Sequence, residues 1–203
     1  SLFPNLAPNL RRLERSAISF TNIHEVYGTS WTIAGMVASQ CGLPLTPVPN
    51  ANKPGTFMPN AYCLGDILKE NGYTLAYLGG ASLRFGGKDN FYKTHQFDEV
   101  LGREILKTGL PDPENLSHWG LYDQDTFRLI SEQLDQLFTD DQPFAFLGLT
   151  LDTHPPNGYP SPICSSYIYK SGDNPMLNSL HCSDALVSKL IEKIKRSNPF
   201  SNT

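Results

Sequence analysis

Residues 125–151 read DTFRLISEQLDQLFTDDQPFAFLGLTL, and two different periodicities meet inside them. Phe127, Ile130, Leu134 and Leu137 recur at helical spacing, which predicts a helix over Asp125–Phe138, with acidic residues at its start to complement the helix dipole. The run that follows, Phe144–Leu151, is short and almost wholly apolar. It is too short to cross a bilayer and suits a strand buried on both faces. The same alternation extends outward. Tyr62–Asn71 reads as a helix stopped by Gly72, and Tyr73–Leu78 as a second buried strand. Cys182–Arg196 carries Ala185, Leu186, Leu190, Ile191 and Ile194 on one face, with Lys193, Lys195 and Arg196 near its C-terminal end. Pro8 opens a short helix through Arg15, and Ala17–Ile23 mixes apolar and hydroxyl residues as a strand would. Leu43–Pro59, rich in Pro and Asn, reads as an irregular surface loop. Helices alternating with buried strands predict an α/β fold, a mostly parallel sheet with helices on both faces.

At 203 residues the chain is long enough for one domain with a real core, so residues 1–203 are expected to form a single domain. The balance of 39% hydrophobic and 18% charged residues excludes a disordered tail. A net charge of −4 gives no electrostatic reason to expect nucleic acid. The N-terminus lacks the basic and apolar regions of a signal peptide. Cys41, Cys63, Cys164 and Cys182 form no C-x-x-C spacing, which makes zinc a poor reading, and they are open to three pairings or to free thiols.

The chemistry is concentrated in Gly28-Thr29-Ser30-Trp31-Thr32-Ile33-Ala34-Gly35-Met36-Val37-Ala38-Ser39-Gln40-Cys41-Gly42, a short apolar helix closed by glycine with hydroxyls at its entrance. Unpaired N–H groups and a partial positive charge at such an entrance favour a phosphate or sulfate. Thr32 there is either a cap accepting a backbone N–H or a nucleophile, and Thr29 and Ser30 compete for the second role. In an open α/β sheet the site lies beyond the carboxyl ends of the strands, so Thr29–Thr32, Gly79–Lys88 and Asp152–Pro156 are expected to converge.

This helix resembles the nucleophile segment of the alkaline phosphatase and sulfatase superfamily, and its wording is closest to the periplasmic phosphoglycerol transferases that modify osmoregulated glucans, relatives of the lipoteichoic acid synthases. The family's spacing back from Gly42 falls on Thr32. The stretch from Leu78 through Arg84-Phe85-Gly86-Gly87-Lys88 to Phe97-Asp98 is similar to the family segment that presents a Trp and an Arg to phosphoglycerol. Gly86 and Lys88 stand at those positions, so the charge is kept without the bidentate fork, and Arg84 is a second candidate. Gln96 replaces the usual glycine. His154, in Thr150-Leu151-Asp152-Thr153-His154-Pro155-Pro156, resembles the histidine beside the substrate, suited to proton transfer. Asp152 reads as a turn or supporting residue; His24, His95, His118 and His181 read as surface or structural. Trp119-Gly120 is also found in the family, with Asp123 starting the next helix.

The resemblance implies catalysis by Thr32 and His154, substrate binding by Lys88, Arg84 and Gly86, and a divalent metal, Mn²⁺ or Mg²⁺ rather than Zn²⁺, with Thr32 as one ligand. The other ligands are expected outside this chain: the acidic strand end that precedes the P-N-L-x-x-L helix in the family, and an Asp-His pair beyond Arg196. The chain therefore reads as a sulfatase-like domain truncated at both ends. Implied partners are a phosphatidylglycerol donor and a glucan acceptor, with membrane attachment through other segments, at the periplasmic face of the bacterial inner membrane. That oxidising compartment implies disulfides, Cys41 with Cys63 and Cys164 with Cys182, each closing a local loop. The alternatives are a phosphoethanolamine transferase or sulfatase on the same fold, the latter disfavoured because Thr32 cannot become formylglycine, and a noncatalytic binding domain that has lost the metal site.

Overall fold

The computed structural model describes residues 2–25, 28–45, 53 and 55–197. Three parallel strands form the sheet: β1 (Thr74–Gly79) lies between β2 (Glu99–Leu101) and β3 (Phe144–Leu149). Thr74 stands opposite Phe144 and Gly79 opposite Leu149, while Ala76 stands opposite Glu99. Side chains of β1 alternate between two cores, as the period of a strand requires. Leu75 and Tyr77 pack with Ile33, Met36 and Val37 of α2 (Thr32–Cys41) and with Phe91 and Tyr92 of α4 (Lys88–Thr94). Ala76 and Leu78 pack on the opposite face with Ile130, Leu134 and Leu137 of α6 (Asp123–Leu137), joined by Leu190 and Ile194 of α7 (Pro175–Ser197). Helices therefore cover both faces of a parallel sheet, as expected.

The remaining helices serve this arrangement. α3 (Leu64–Glu70) runs into β1, and α5 (Arg103–Leu106) follows β2. α1 (Pro8–Glu14) begins after Ala7, which offers no capping oxygen. Asp184 of α7 does so instead, accepting the N–H groups of Asn9 at 3.0 Å and Leu10 at 2.7 Å. Both expected disulfides are present, Cys41–Cys63 and Cys164–Cys182. No helix among the described residues is long and apolar enough to cross a membrane.

Three expectations change. Ala17–Ile23 is not a strand: Ile18, Phe20 and Ile23 are exposed, and no described strand pairs with this segment. Alternation alone cannot make a strand when no neighbour takes its backbone hydrogen bonds. β3 ends at Leu149 rather than Leu151, because Leu151 turns its N–H to the side chain of Asp123, at 2.6 Å. α7 starts seven residues before Cys182. Of the loop expected over Leu43–Pro59, residues 46–52 and 54 lie outside the described residues, and the rest is irregular.

Candidate active site

Trp31 holds an extended backbone and Thr32 opens α2; the first intrahelical bond runs from Gly35 N–H to the Trp31 carbonyl at 3.0 Å, and the Trp31 side chain does not cap this end. The helix is held from both sides. Ile33, Ala34, Met36 and Val37 are buried, and Cys41 at its far end is bridged to Cys63 in front of α3. Thr32 itself is half-buried, Ser30 exposed. An anion could therefore approach N–H groups that a helix leaves unpaired, beside a hydroxyl.

The loop after β1 meets this end of α2. Phe85–Gly87 makes a tight helical turn in which Gly86 and Gly87 both adopt positive φ, 69° and 71°. A Cβ on Gly86 would lie 3.1 Å from Ile33 Cγ2 and 3.5 Å from the Trp31 ring, so the glycine lets the turn rest directly on the residues flanking Thr32. Lys88, 1% exposed, starts α4 from beneath this turn. Its Nζ donates to the Phe85 carbonyl at 3.0 Å and lies 5.1 Å from the centre of the Phe85 ring. Burial pushes its ammonium down to about 8, against the attraction of Glu104 and Asp89. Arg84 is exposed at the edge of the same turn.

From Phe85 an aromatic series leads to His154. The Phe85 and Trp119 rings meet edge to face at 6.3 Å, and Trp119 stacks on the His154 imidazole at 4.2 Å. The segment bearing Trp119 is pinned to the end of β1: Ala81 bridges Gly120, and Leu121 N–H donates to the Gly80 carbonyl at 3.1 Å. The fit at Gly120 is extreme. With φ at 151°, a Cβ there would stand 2.1 Å from the Gly80 oxygen. His154 follows β3 in a turn closed by its own N–H to the Leu151 carbonyl. Its Nδ1 lies 2.7 Å from the Pro155 carbonyl, which can only accept, so Nδ1 carries a proton and Nε2 is the nitrogen open for proton transfer.

Beneath His154 lies a pair that its neighbourhood in sequence does not announce. Asp123 and Asp152 are 0% and 1% exposed. Asp152 accepts the N–H of Asp123 at 2.9 Å, the N–H of Ser161 at 2.8 Å and the Ser161 hydroxyl; Asp123 accepts the N–H of Leu151 and the hydroxyl of Ser183 at 3.1 Å. Burial pushes both carboxyls up, and the charge of Asp123 adds to the effect on Asp152, which reaches about 7. The pair ties the start of α6 to the end of β3 and so fixes the turn that carries His154.

The three segments expected to converge thus do so: Gly86 rests on the residues around Thr32, and Phe85 and Trp119 continue to His154. Lys88 is present in the turn, but its ammonium is committed to a backbone carbonyl rather than presented on the surface. Trp119 was legible as a motif without a role. Its Nε1 is buried with no described partner, a donor left open beside His154. His118 stacks on Tyr159 at 6.2 Å, and His181 reaches the Leu6 carbonyl, both supporting contacts. His24 is exposed, hydrogen-bonded to Asn22. A metal cage is not formed here. Among the described residues, the one grouping of three ligand-type atoms is Cys41, Cys63 and His95, whose sulfurs are spent in a disulfide.

Comparison with known proteins matches this arrangement. Phosphoglycerol transferase I of Salmonella arizonae is 41% identical over 206 residues, covering 99% of this chain and 27% of the relative. The chain thus spans about a quarter of the length of the curated relatives it matches. A protein in the alkaline phosphatase superfamily from Vibrio parahaemolyticus superimposes with a TM-score of 0.73 at 26% identity, over 95% of this chain and 45% of that one. The lipoteichoic acid synthase LtaP from Listeria monocytogenes gives a TM-score of 0.78 at 16% identity, over 95% of this chain and 47% of that one, and shares the fold. Residues 2–203 match the sulfatase family, and the chain belongs to that family, within the alkaline phosphatase superfamily.

Proposed function

We propose that residues 1–203 are one sulfatase-like catalytic unit of a transferase that moves phosphoglycerol from phosphatidylglycerol to a periplasmic glucan through a phospho-Thr32 intermediate. The observation that carries this reading is the first turn of α2, which the Trp31 side chain does not cap and whose first residue is a threonine. The likeness to a phosphoglycerol transferase supports the choice of group transferred. Thr32 Oγ1 attacks phosphorus, the bond from phosphorus to the diacylglycerol oxygen breaks, and His154 Nε2 protonates that oxygen as it leaves. A glucan hydroxyl then attacks the same phosphorus, giving its proton to His154 Nε2, and the bond to Thr32 Oγ1 breaks. The N–H groups of α2 face the charge that builds on the phosphoryl oxygens. Lys88 stays close beneath the turn, and a bound phosphate would draw its proton back on.

The superfamily is in general metal-dependent. We infer Mn²⁺ or Mg²⁺ rather than Zn²⁺ for this member, with Thr32 as a ligand and an ionised threonine as the chemistry supplied. The described residues offer that single oxygen and no cage, so ionisation of Thr32 is the one step this chain's own groups do not account for. The two disulfides support an oxidising compartment, the periplasmic face of the inner membrane. Thr32→Ala, made in the longer protein that carries this chain, should abolish transfer to glucan while leaving its circular dichroism unchanged. Transfer at the wild-type rate would overturn the reading.

A further inference from the structure

The start of α3 gathers groups that phosphoryl transfer does not use. Cys63 is 1% exposed and bridged to Cys41, which is half-buried. Nε2 of the buried His95 lies 3.6 Å from Cys63 Sγ. Its other nitrogen, Nδ1, lies 2.8 Å from Asp66 Oδ2. A carboxylate only accepts, so Nδ1 carries a proton and Nε2 turns either a lone pair or, in the imidazolium, a second N–H toward sulfur. Asp66 is kept ionised: burial works against it, but the Cys63 N–H, His95 and Gln96 Nε2 hold its carboxyl below the ordinary range. The Phe91 ring closes the other side of the imidazole at 4.9 Å.

Cys164–Cys182 has no such company. Phe127, Leu186, Tyr167, Val187 and Leu190 pack around it, and among the described residues no imidazole or carboxylate stands with it as His95 does with Cys41 and Cys63.

We propose that Cys41–Cys63 is a thiol-exchange site, where a low-molecular-weight thiol adds to Cys41 and Cys63 departs as a thiolate held by protonated His95. The incoming sulfur forms a new S–S bond to Cys41 Sγ, and the Cys41–Cys63 bond breaks with its electron pair on Cys63. The proton given up by the incoming thiol ends on His95 Nε2, so one thiol is consumed, one is formed, and the number of disulfides is unchanged. Two observations fix the direction. Cys41 is the more exposed of the two cysteines, and the His95 imidazole beside Cys63 Sγ, on taking up the thiol's proton, favours Cys63 as the leaving group. The product is a modified Cys41 at the end of the helix that Thr32 begins, with its tether to α3 undone.

The test uses the longer protein that carries this chain, and glutathione. After brief exposure, excess iodoacetamide traps the new thiol, and peptide mapping reads which cysteine carries glutathione. Glutathione on Cys41 with the alkyl group on Cys63 should exceed the reverse product by about tenfold or more, and Cys164–Cys182 should open at least about tenfold more slowly. Glutathione mainly on Cys63, an even mixture, or earlier opening of Cys164–Cys182 would overturn the proposal. His95→Gln should slow exchange at Cys41 by about tenfold and erode the product ratio. A folded variant that exchanges as the wild type does would also overturn it, and if that variant does not fold, the wild-type product ratio still decides.

Discussion

Replacing Asp152 with Asn should flatten the pH dependence of stability between pH 5 and 7. In the wild type both carboxyls of the Asp123–Asp152 pair are pushed above their ordinary range, by burial first and, for Asp152, then by the neighbouring charge. An unfolded aspartate titrates near ~3.9, so from about pH 4 to about pH 7 the folded chain holds a proton that the unfolded chain has lost. The stability this adds is complete below about pH 4 and is lost as pH rises through 7. One extra proton is worth at most about 1.4 kcal/mol per pH unit, so acidifying from pH 7 to 5 should stabilise the wild type by up to about 2.7 kcal/mol. In Asp152→Asn the carboxyl that reaches about 7 is gone, while burial still holds Asp123 above the ordinary range. The amide must also turn its NH₂ toward either the Asp123 N–H or the Ser161 N–H, both of which now donate to carboxylate oxygens. That leaves one donor unpaired at a cost of about 1–3 kcal/mol. The variant should therefore be clearly weaker at pH 5, with the gap closing toward pH 8. Urea unfolding followed by tryptophan fluorescence at pH 5, 6, 7 and 8 measures both curves. Curves that run parallel to within about 0.5 kcal/mol would refute Asp152 as the group that titrates in this range.

Gly120→Ala should cost more than about 2 kcal/mol, because its Cβ meets a backbone oxygen that no rotamer change can move; Gly109→Ala, which faces open space, should stay within about 0.5 kcal/mol. Thermal melts of the two variants make the comparison. The depressed Lys88 ammonium binds fewer protons folded than unfolded above about pH 8, so wild-type stability should rise from pH 8 to 10 by at most about 2.7 kcal/mol; denaturant titration of Lys88→Met should show that rise gone. His154→Ala in the longer protein should slow transfer about a hundredfold or more, measured as the initial rate of labelled glucan formation.

How much of this was legible depended on whether the cause was local. α6 and α7 announce themselves because their apolar residues recur at helical spacing, and β1 because a strand buried on both faces is apolar throughout; β3 is apolar too, although at the edge of the described sheet it is only half-buried. The disulfide pairing followed from resemblance, and the convergence of the Thr32, Gly86 and His154 segments from the placement of sites beyond the carboxyl ends of strands in an open α/β sheet; the structure places those segments together. Three-residue β2 is too short to carry a period, and the first turns of α7, from Pro175 to His181, are too polar to show one. Ala17–Ile23 has a strand's pattern without a strand's partner. The Asp123–Asp152 pair was out of reach for another reason: its two halves are 29 positions apart, and each alone looks like an ordinary turn or cap residue.

The atom that bears the transferred group is the centre of the chemistry. The longer protein carrying this chain, incubated with phosphatidylglycerol labelled in its glycerol headgroup, quenched in acid and digested, should yield a peptide spanning residues 28–42 that carries one phosphoglyceryl group on Thr32. The same group on Thr29 or Ser30, or labelled glucan formed with no adduct on this peptide under quenching at any time in the turnover, would contradict it.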